Sequence, residues 1–476
     1  MKSLFEFDSS PGFVIPDSQI EGKELDKKYC SDAKPGLPSI SEIDLVRHYT
    51  RLSQQNVCVD SNFYPLGSCT MKYNPKINED VAALPGFTNI HPFQDKNQLQ
   101  GILEVLYNFE KYLCAIFGYD AFTLSPAAGA HGEATAILLM KAYHKSRRHQ
   151  NRNVVIVPDS SHGTNPASAA FCGWSVVQIK SNDRGEVDLS ELKKTVGDNT
   201  AALMLTNPNT LGVFDSKIRE VANIVHDAGG LLYYDGANAN ANLSKTRPAD
   251  LGFDIAHFNL HKTFSTPHGG GGPGSGPVGV SEKLIPFLPN PRIIKRNTKF
   301  IIKNLKNKSI GNVHSFYGNI NVIIKAYTYI LSLGHKGLKE VSENAVLNAN
   351  YMMKRLKDYY YLPYDRCCQH EFVLSAKWQK EKFGIKALDI AKRLIDYGFH
   401  PPTIYFPLIV SEALMIEPTE TESLQTLDEF CDVMITIAKE CETKPELLKE
   451  APHYTPVGRL DEVKAVKELN VRWTGK

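Results

Sequence analysis

The chain of 476 residues is short of net charge: 54 Lys and Arg stand against 52 Asp and Glu, a formal balance of +2. No long block of like charge makes up for that locally, which argues against an electrostatic grip on nucleic acid. Long apolar runs are missing as well. Nothing approaches the roughly 18 uninterrupted apolar residues of a membrane helix. The opening MKSLFEFDSSPGF carries acids early and no apolar stretch, so neither a span nor a secretory leader is expected. The nine cysteines (Cys30, Cys58, Cys69, Cys114, Cys172, Cys367, Cys368, Cys431, Cys441) are odd in number and scattered, with no CxxC or Cys/His ligand spacing. That argues against a disulfide framework or a metal site and for reduced thiols in a cytoplasmic protein. Cys69, in LGSCTMK, stands among small turn-forming residues, but nothing nearby lowers its pKa and it is read as structural. Neither an internal repeat nor a low-complexity tract appears beyond one glycine run. What remains, at 42% hydrophobic and 22% charged, is an ordinary globular composition with length for two or three domains, suited to small-molecule chemistry.

From Asn153 onward short apolar runs alternate with helical patterns, which argues for βαβ units and a mainly parallel sheet. The runs are VVIVP (154–158), SVVQI (175–179), AALMLT (201–206), GLLYYD (230–235), DIAHFN (254–259) and GPVGV (276–280). Asp215 is placed to cap a helix in which Ile218, Val221, Ala222 and Val225 keep the i, i+3, i+4, i+7 spacing and Gly229 closes the end. A second helix is expected from Asp188, which with Glu191 resembles a capping box. Residues 1–100, rich in Pro, Asn and Gly, cannot make a core alone and are read as an extended arm wrapping the main domain or a partner subunit. Residues 101–300 form the large α/β domain. Residues 301–476 are a helical connection, through NINVIIKAYTYILSL and LKEVSENAVLNANYMMKRLKDYY, followed by a small α/β domain. Its strands lie in EFVLSAKW and near EALMIEP, its helix in IKALDIAKRLIDYG, and residues 450–476 pack as a last arm.

The chemistry is concentrated in DGANANANLSKTRPADLGFDIAHFNLHKTFSTPHGGGGPG (235–274), where an acid ends the buried strand LLYY and a lysine ends HFNLHK. Ligands of open α/β sheets collect at such strand ends. Lys262 suits the Schiff-base amine of a pyridoxal 5′-phosphate site. Asp235 suits the carboxylate that keeps the pyridine nitrogen protonated, so that the ring accepts an electron pair left on a substrate carbon. Taken singly, an Asp after a strand is a turn cap and a Lys before Thr a solvated charge. In SPAAGAHGEATA, Ala128, Gly129 and Ala130 offer unobstructed amides, and a helix beginning near Gly132 points its positive end at a phosphate. A simple turn before a core helix is the alternative. His162, after VVIVP, is placed to stack on the ring or move a proton, or else to cap a helix. In TNPNTLG, Asn209 or Thr210 can reach a ring hydroxyl, though Asn-Pro-Asn is also a turn signal. Ala237, in DGANA, completes the cofactor-contacting set. The run 269–272 lets backbone approach a ligand or a facing subunit.

Nine motifs in order carry a resemblance: YPLGSCTMKYNPK (64–76), FTNIHPFQ (87–94), PAAGAHGE (126–133), DSSHGTNPASA (159–169), TNPNTLG (206–212), YYDGANANA (233–241), HFNLHKTFSTPHGGGGPG (257–274), FHPPTIYFP (399–407) and LMIEPTETES (414–423). From about residue 40 to the end, with PVGRLDEVKA near the C-terminus, the chain closely resembles the P-protein of the glycine cleavage system, glycine dehydrogenase (decarboxylating). Its length, with HKT present, resembles the lysine-bearing second subunit of the split form of that family. The resemblance implies the pyridoxal-phosphate-dependent fold type I, aspartate aminotransferase-like, with a mostly parallel seven-stranded sheet and a smaller C-terminal α/β domain. It further implies a subunit 1 partner of similar fold, two copies of each chain, and glycine as substrate. Glycine then loses CO2 and its aminomethyl group passes to the lipoyl arm of the H-protein. Residue by residue, Lys262 resembles the family's cofactor-bonding lysine, Asp235 its pyridine-nitrogen partner, His162 its ring-stacking histidine, and Ala128 with Gly129 its phosphate contacts. No metal is expected. A route for the swinging arm is expected between the TPHGGGG loop and the N-terminal arm. The group that binds the glycine carboxylate and the proton donor stay open among Arg51, Tyr64, Lys72, His91, His268 and the partner chain. Two other readings are a different fold type I decarboxylase or aminotransferase, and an inactive cofactor-binding scaffold.

Overall fold

Seven strands form one sheet in the computed structural model, which describes residues 3–7, 26–33, 37–38 and 40–472. Much of MKSLFEFDSSPGF, on which the absence of a leader was read, lies outside the described residues, as do the last four residues of the chain. The strands are β1 (Ala121–Thr123), β2 (Val154–Pro158), β3 (Ser175–Ile179), β4 (Thr200–Leu205), β5 (Leu231–Gly236), β6 (Ile255–Phe258) and β7 (Val278–Val280). Their order is β1-β7-β6-β5-β4-β2-β3. The pairs β3–β2, β2–β4, β4–β5 and β5–β6 are parallel, and β7 runs antiparallel to both β6 and β1. Helices cover both faces, so β4 and β5 are buried along their whole length and read as unbroken apolar runs. The mostly parallel seven-stranded fold is therefore as expected. β1, only three residues long, carried no periodic signal of its own.

The helix Ile218–Asp227 buries Ile218, Val221, Ala222 and Val225, and Gly229 takes the left-handed position at its end (φ +80°). Asp215 is not its cap. The carboxylate instead accepts from the amides of Val187 (2.8 Å) and Lys217 (3.0 Å), tying two loops together. Asp188 does cap the helix Leu189–Thr195, through the amides of Ser190 and Glu191.

After residue 289 the chain does not turn directly helical. A hairpin intervenes, β8 (Arg292–Arg296) against β9 (Lys299–Lys303), closed by a turn in which Asn297 has φ +54°. Its strands begin and end in Lys or Arg, which hid the two-residue alternation. A long helical stretch Ile320–Leu356 follows, broken at Gly334 (φ +59°, ψ −170°). The second sheet is antiparallel, ordered β10 (Phe372–Ser375), β12 (Ala413–Ile416), β11 (Thr403–Ile404). Phe372, Leu374, Leu414 and Ile416 pack there against Ile390 and Leu394 of the helix Ala387–Asp396 and Phe430 of the helix Leu424–Thr443.

Within residues 40–100 the chain holds a four-residue helix, Pro85–Thr88, and two longer ones, Glu42–Gln54 and Lys76–Ala82, in place of a wholly extended path. Between them, residues 63–74 are drawn against the second sheet. Leu66 bridges Ile416, the Gly67 amide bonds the Met415 carbonyl (3.3 Å), and the Glu417 amide bonds the Pro65 carbonyl (3.2 Å). A Cβ at Gly67 would lie 2.7 Å from that Met415 oxygen, so only glycine allows the approach. Lys72 is buried with Glu420 (2.6 Å) and the Tyr329 hydroxyl (2.9 Å) as partners, which pins the segment on its far side. Among the described residues no helix is long and apolar enough to cross a membrane.

Candidate active site at the carboxyl ends of the parallel strands

Lys262 and Asp235 open into one cavity of about 110 Å³. Asp235 is the last residue but one of β5, and β6 ends in Phe258, in parallel register with Asp235 opposite His257, so the two strand ends bring the acid and the loop 259–262 to the same edge. The helix Gly129–Ser146 aims its N-terminus at this cavity. It starts three residues earlier than the sequence suggests, with Ala128 as the cap residue. Gly129 and Ala130 line the cavity with first-turn amides that have no acceptor inside the helix. Ala128 does not line it; its carbonyl accepts from the Gly132 amide (2.9 Å). A Cβ at Gly129 would fall 2.7 Å from Asn259 Oδ1, so the small residue is needed for the strand end and the helix to meet.

His162, Thr210 and Ala237 also line the cavity. Asn209 does not: its amide donates to the Gly185 carbonyl (2.6 Å) and its oxygen accepts from the Leu211 and Val213 amides. The turn reading holds for Asn209, while Thr210 presents a hydroxyl that donates to the Ser160 carbonyl (2.6 Å). Lys262 Nζ donates to the Ser68 carbonyl at 2.6 Å, a contact from the N-terminal segment.

Asp235 is buried and accepts from the Asn165 amide at Oδ2 (2.8 Å) and the Ala237 N–H at Oδ1 (3.0 Å). Burial pushes its pKa up, but His257, Asn165 and the Ala237 amide outweigh that and the net direction is down. His257, 3.6 Å away, is itself pushed to about 4 by burial. It is neutral near pH 7, so the two donors are what hold Asp235 ionised. Behind His162 runs a polar relay: its Nδ1 meets the Thr164 hydroxyl (2.8 Å), and that hydroxyl donates to Glu133 (2.7 Å), which Ser168 also serves (2.7 Å). Burial and the nearby Asp235 push Glu133 up to about 7. Burial lowers His162.

The structure also brings in residues that sequence reasoning missed. Asn165 follows His162 by one helical turn, and His257 is a lone histidine in a buried apolar strand facing Asp235; both signals were readable. Ser68, His370 and Glu371 also line the cavity and come from far along the chain, with no local signal. The candidates left open do not line it: Arg51 is exposed, Lys72 is spent on Glu420, Tyr64 stacks on His400 (3.8 Å), and His91 sits with Phe93 and Phe316. Tyr64, Lys72, His268 and Gly270 instead line a second cavity, about 530 Å³, between the arm and the glycine loop. A mainly apolar cavity of about 780 Å³ at the Gly334 break shares no residue with the Lys262 cavity. Cys58, Cys69, Cys114, Cys172, Cys367, Cys368, Cys431 and Cys441 are free thiols, and burial pushes the Cys69 thiol up.

Residues 130–272 match the family model described as aminotransferase class-V, and residues 341–453 the model described as glycine dehydrogenase, C-terminal domain. A protein of Caldanaerobacter subterraneus named probable glycine dehydrogenase (decarboxylating) subunit 2 is 57% identical over 99% of this chain and 98% of its own length. A protein of the same name from Bacillus licheniformis is 58% identical over 98% of this chain and 96% of its own. Among solved structures, the crystal structure of a glycine decarboxylase (P-protein) of the glycine cleavage system, in inhibitor-bound form, superposes with a TM-score of 0.72 at 19% identity, covering 87% of this chain and 93% of that one. A glutamate decarboxylase of Lactobacillus brevis gives a TM-score of 0.65 at 12% identity, covering 87% and 96%. The two superpositions establish the fold type I architecture. Identity above one half along nearly the whole of both sequences says more: the chain belongs to the glycine dehydrogenase (decarboxylating) subunit 2 family.

Proposed function

We propose that the chain is the cofactor-bearing subunit of a split glycine decarboxylase acting in the cytoplasm. It holds pyridoxal 5′-phosphate, releases CO2 from glycine and passes the aminomethyl group to the lipoyl arm of an H-protein, in company with a subunit 1 partner, two copies of each. The observation that carries this reading is the shared cavity of Lys262 and Asp235 in a chain so close to its relatives. The donor set fits the cofactor. A primary amine, an ionised acid held by two donors, and free amides at a helix N-terminus meet in one small space, and the buried Asn165 Oδ1 and Asn259 Oδ1 have no partner among the described residues.

When bound, such a group supplies a conjugated ring into which the electron pair of the breaking Cα–carboxylate bond spreads. Lys262 would offer the primary amine that holds the cofactor's aldehyde end. Asp235 holds a proton on the ring nitrogen, a task its two hydrogen bonds secure. The amides of Gly129 and Ala130, with the helix dipole behind them, hold the phosphate. His162, oriented by Thr164, covers the ring, and Thr210 and Ala237 bound its edge. The second cavity between the arm and the glycine loop is the route for the lipoyl arm. Residues placed on these several sides would hold the group and its substrate in one orientation.

Exchange of labelled bicarbonate into the glycine carboxyl, with and without H-protein and the partner chain, tests the reading. Exchange that needs both additions supports it. Amine release without them assigns a general decarboxylase, and no turnover in any combination leaves a scaffold.

A further inference from the structure

Glu371, at the mouth of β10, lines the Lys262 cavity, and nothing described so far uses it. It is 4% exposed and receives a single hydrogen bond, from the Ser68 amide to Oε2 at 2.8 Å. Glu417, just past β12, stands beside it; one side-chain N or O atom from each of His370, Glu371 and Glu417 lies within 4.8 Å of the other two. Glu417 is served by three donors: the Thr70 amide (3.0 Å), the Thr70 hydroxyl (2.7 Å) and the Asn238 amide group (2.7 Å). Burial raises both carboxyls, but the one with three donors is favoured as the anion over the one with a single donor a few ångströms away. The pair therefore carries one negative charge, on Glu417, and one proton, on Glu371. The groups facing Glu371 are Glu417, Lys262, His370 and Cys69. Burial pushes His370 to about 3, and its two ring nitrogens have no partner among the described residues, so it offers no positive charge in compensation. Burial first, and the Glu417 charge second, hold Glu371 well above the usual carboxyl range.

The same arm segment borders both cavities. Ser68 lines the first, and Leu66 and Thr70 the second, so the two cavities adjoin across this segment with Glu371 on the Lys262 side. We propose that Glu371 is the acid of this site, delivering its proton to the sulfur that leaves when the lipoyl disulfide is opened, with Glu417 as its anionic partner. This rests on the function proposed above. In the step, the electron pair left on the glycine carbon after CO2 departs forms a C–S bond to one sulfur. The S–S bond breaks, its pair goes to the other sulfur, and that sulfur takes the Glu371 proton to become a thiol. The carbon is oxidised by two electrons and the disulfide reduced by two. Glu371 is left as a carboxylate and regains a proton from solvent.

The first test needs no cofactor. Infrared spectra of the cofactor-free chain at pH 8, where Glu133 and Glu422, each at about 7, are largely ionised, should show a protonated-carboxyl C=O band in the difference between wild type and Glu371→Gln. Glu417→Gln, which removes the neighbouring charge and leaves the burial, should lower the pH at which that band disappears, an effect that loss of packing alone does not produce. In the complete complex with partner chain and H-protein, Glu371→Gln should lower turnover at least about 10²-fold and remove the alkaline decline of the rate, while Glu371→Asp keeps part of the rate. Absence of the band in wild type, an unchanged pH of its disappearance in Glu417→Gln, or a wild-type rate in Glu371→Gln each overturns the proposal. A wild type that shows the band but never turns over glycine overturns the functional reading and the sulfur step with it, and leaves the acid pair standing.

Discussion

Lys262 has the Ser68 carbonyl as its hydrogen-bond acceptor and an ionised Asp235 in the same cavity, and its replacement should be the sharpest single change available. Lys262→Ala should abolish the chromophore and cut glycine-dependent exchange by at least about 10³-fold, with an unfolding midpoint close to wild type, read by absorbance, exchange assay and calorimetry. A different carboxyl reports on pH. Burial, then the Glu420 charge, pushes Glu422 up to about 7 from an ordinary 4.5. A folded-state pKa above the unfolded one means the stability it contributes is complete below about 4.5 and is lost as pH rises through about 7. Glu422→Gln should therefore lose less stability than wild type between pH 5 and pH 8, by on the order of 1 kcal/mol after solvent screening, measured by denaturant unfolding at both pH values. Lys262, Asp235 and His162 were legible because each sits at the end of a recognisable strand. Ser68 and Glu371 were not: they are 303 positions apart, and neither carries a pattern of its own.

The loop 206–212 shows how an element delivers a distant residue. Gly212 has φ +73°, and a Cβ there would lie 1.9 Å from the Glu371 carbonyl oxygen, so the loop and the start of β10 touch through bare backbone. Gly212→Ala should cost at least about 2 kcal/mol in urea unfolding and weaken cofactor binding, since Glu371 and His370 move with β10. The central strands were legible from their apolar runs because both faces are covered. The short β1 and the hairpin β8–β9 were not, being too brief or too rich in Lys and Arg for hydrophobic period to speak. The helix facing the phosphate site was misplaced by one turn, because its first residues are too small to show an apolar face and its start is set by contact with Asn259.

At the scale of the whole molecule, the described part of the C-terminal stretch leaves apolar side chains exposed. Val463, Val466, Leu469 and Val471 are between 63% and 84% exposed, beside a short helix Glu462–Lys467 that buries nothing. Apolar side chains left in water in such density mark a contact surface. Removing residues 454–476 should leave the unfolding midpoint unchanged and lower recovery of the proposed partner chain in pull-down from a co-expressing strain. Polar composition alone had marked this stretch as an arm; which of its residues stay uncovered is a matter of tertiary packing. The arm segment near Ser68 has a longer reach. Ser68 is a non-glycine residue at φ +67°, its carbonyl turned to Lys262 and its amide to Glu371. One Cα thus joins the amine proposed to capture the cofactor to the carboxyl proposed to store a proton. Thermodynamic reciprocity makes the two inseparable: whatever engages the lysine shifts the proton occupancy of the glutamate, and that occupancy shifts how firmly the lysine's partner is retained. Equilibrium titrations should accordingly find cofactor affinity that varies with pH in the native chain and varies less in Glu371→Gln.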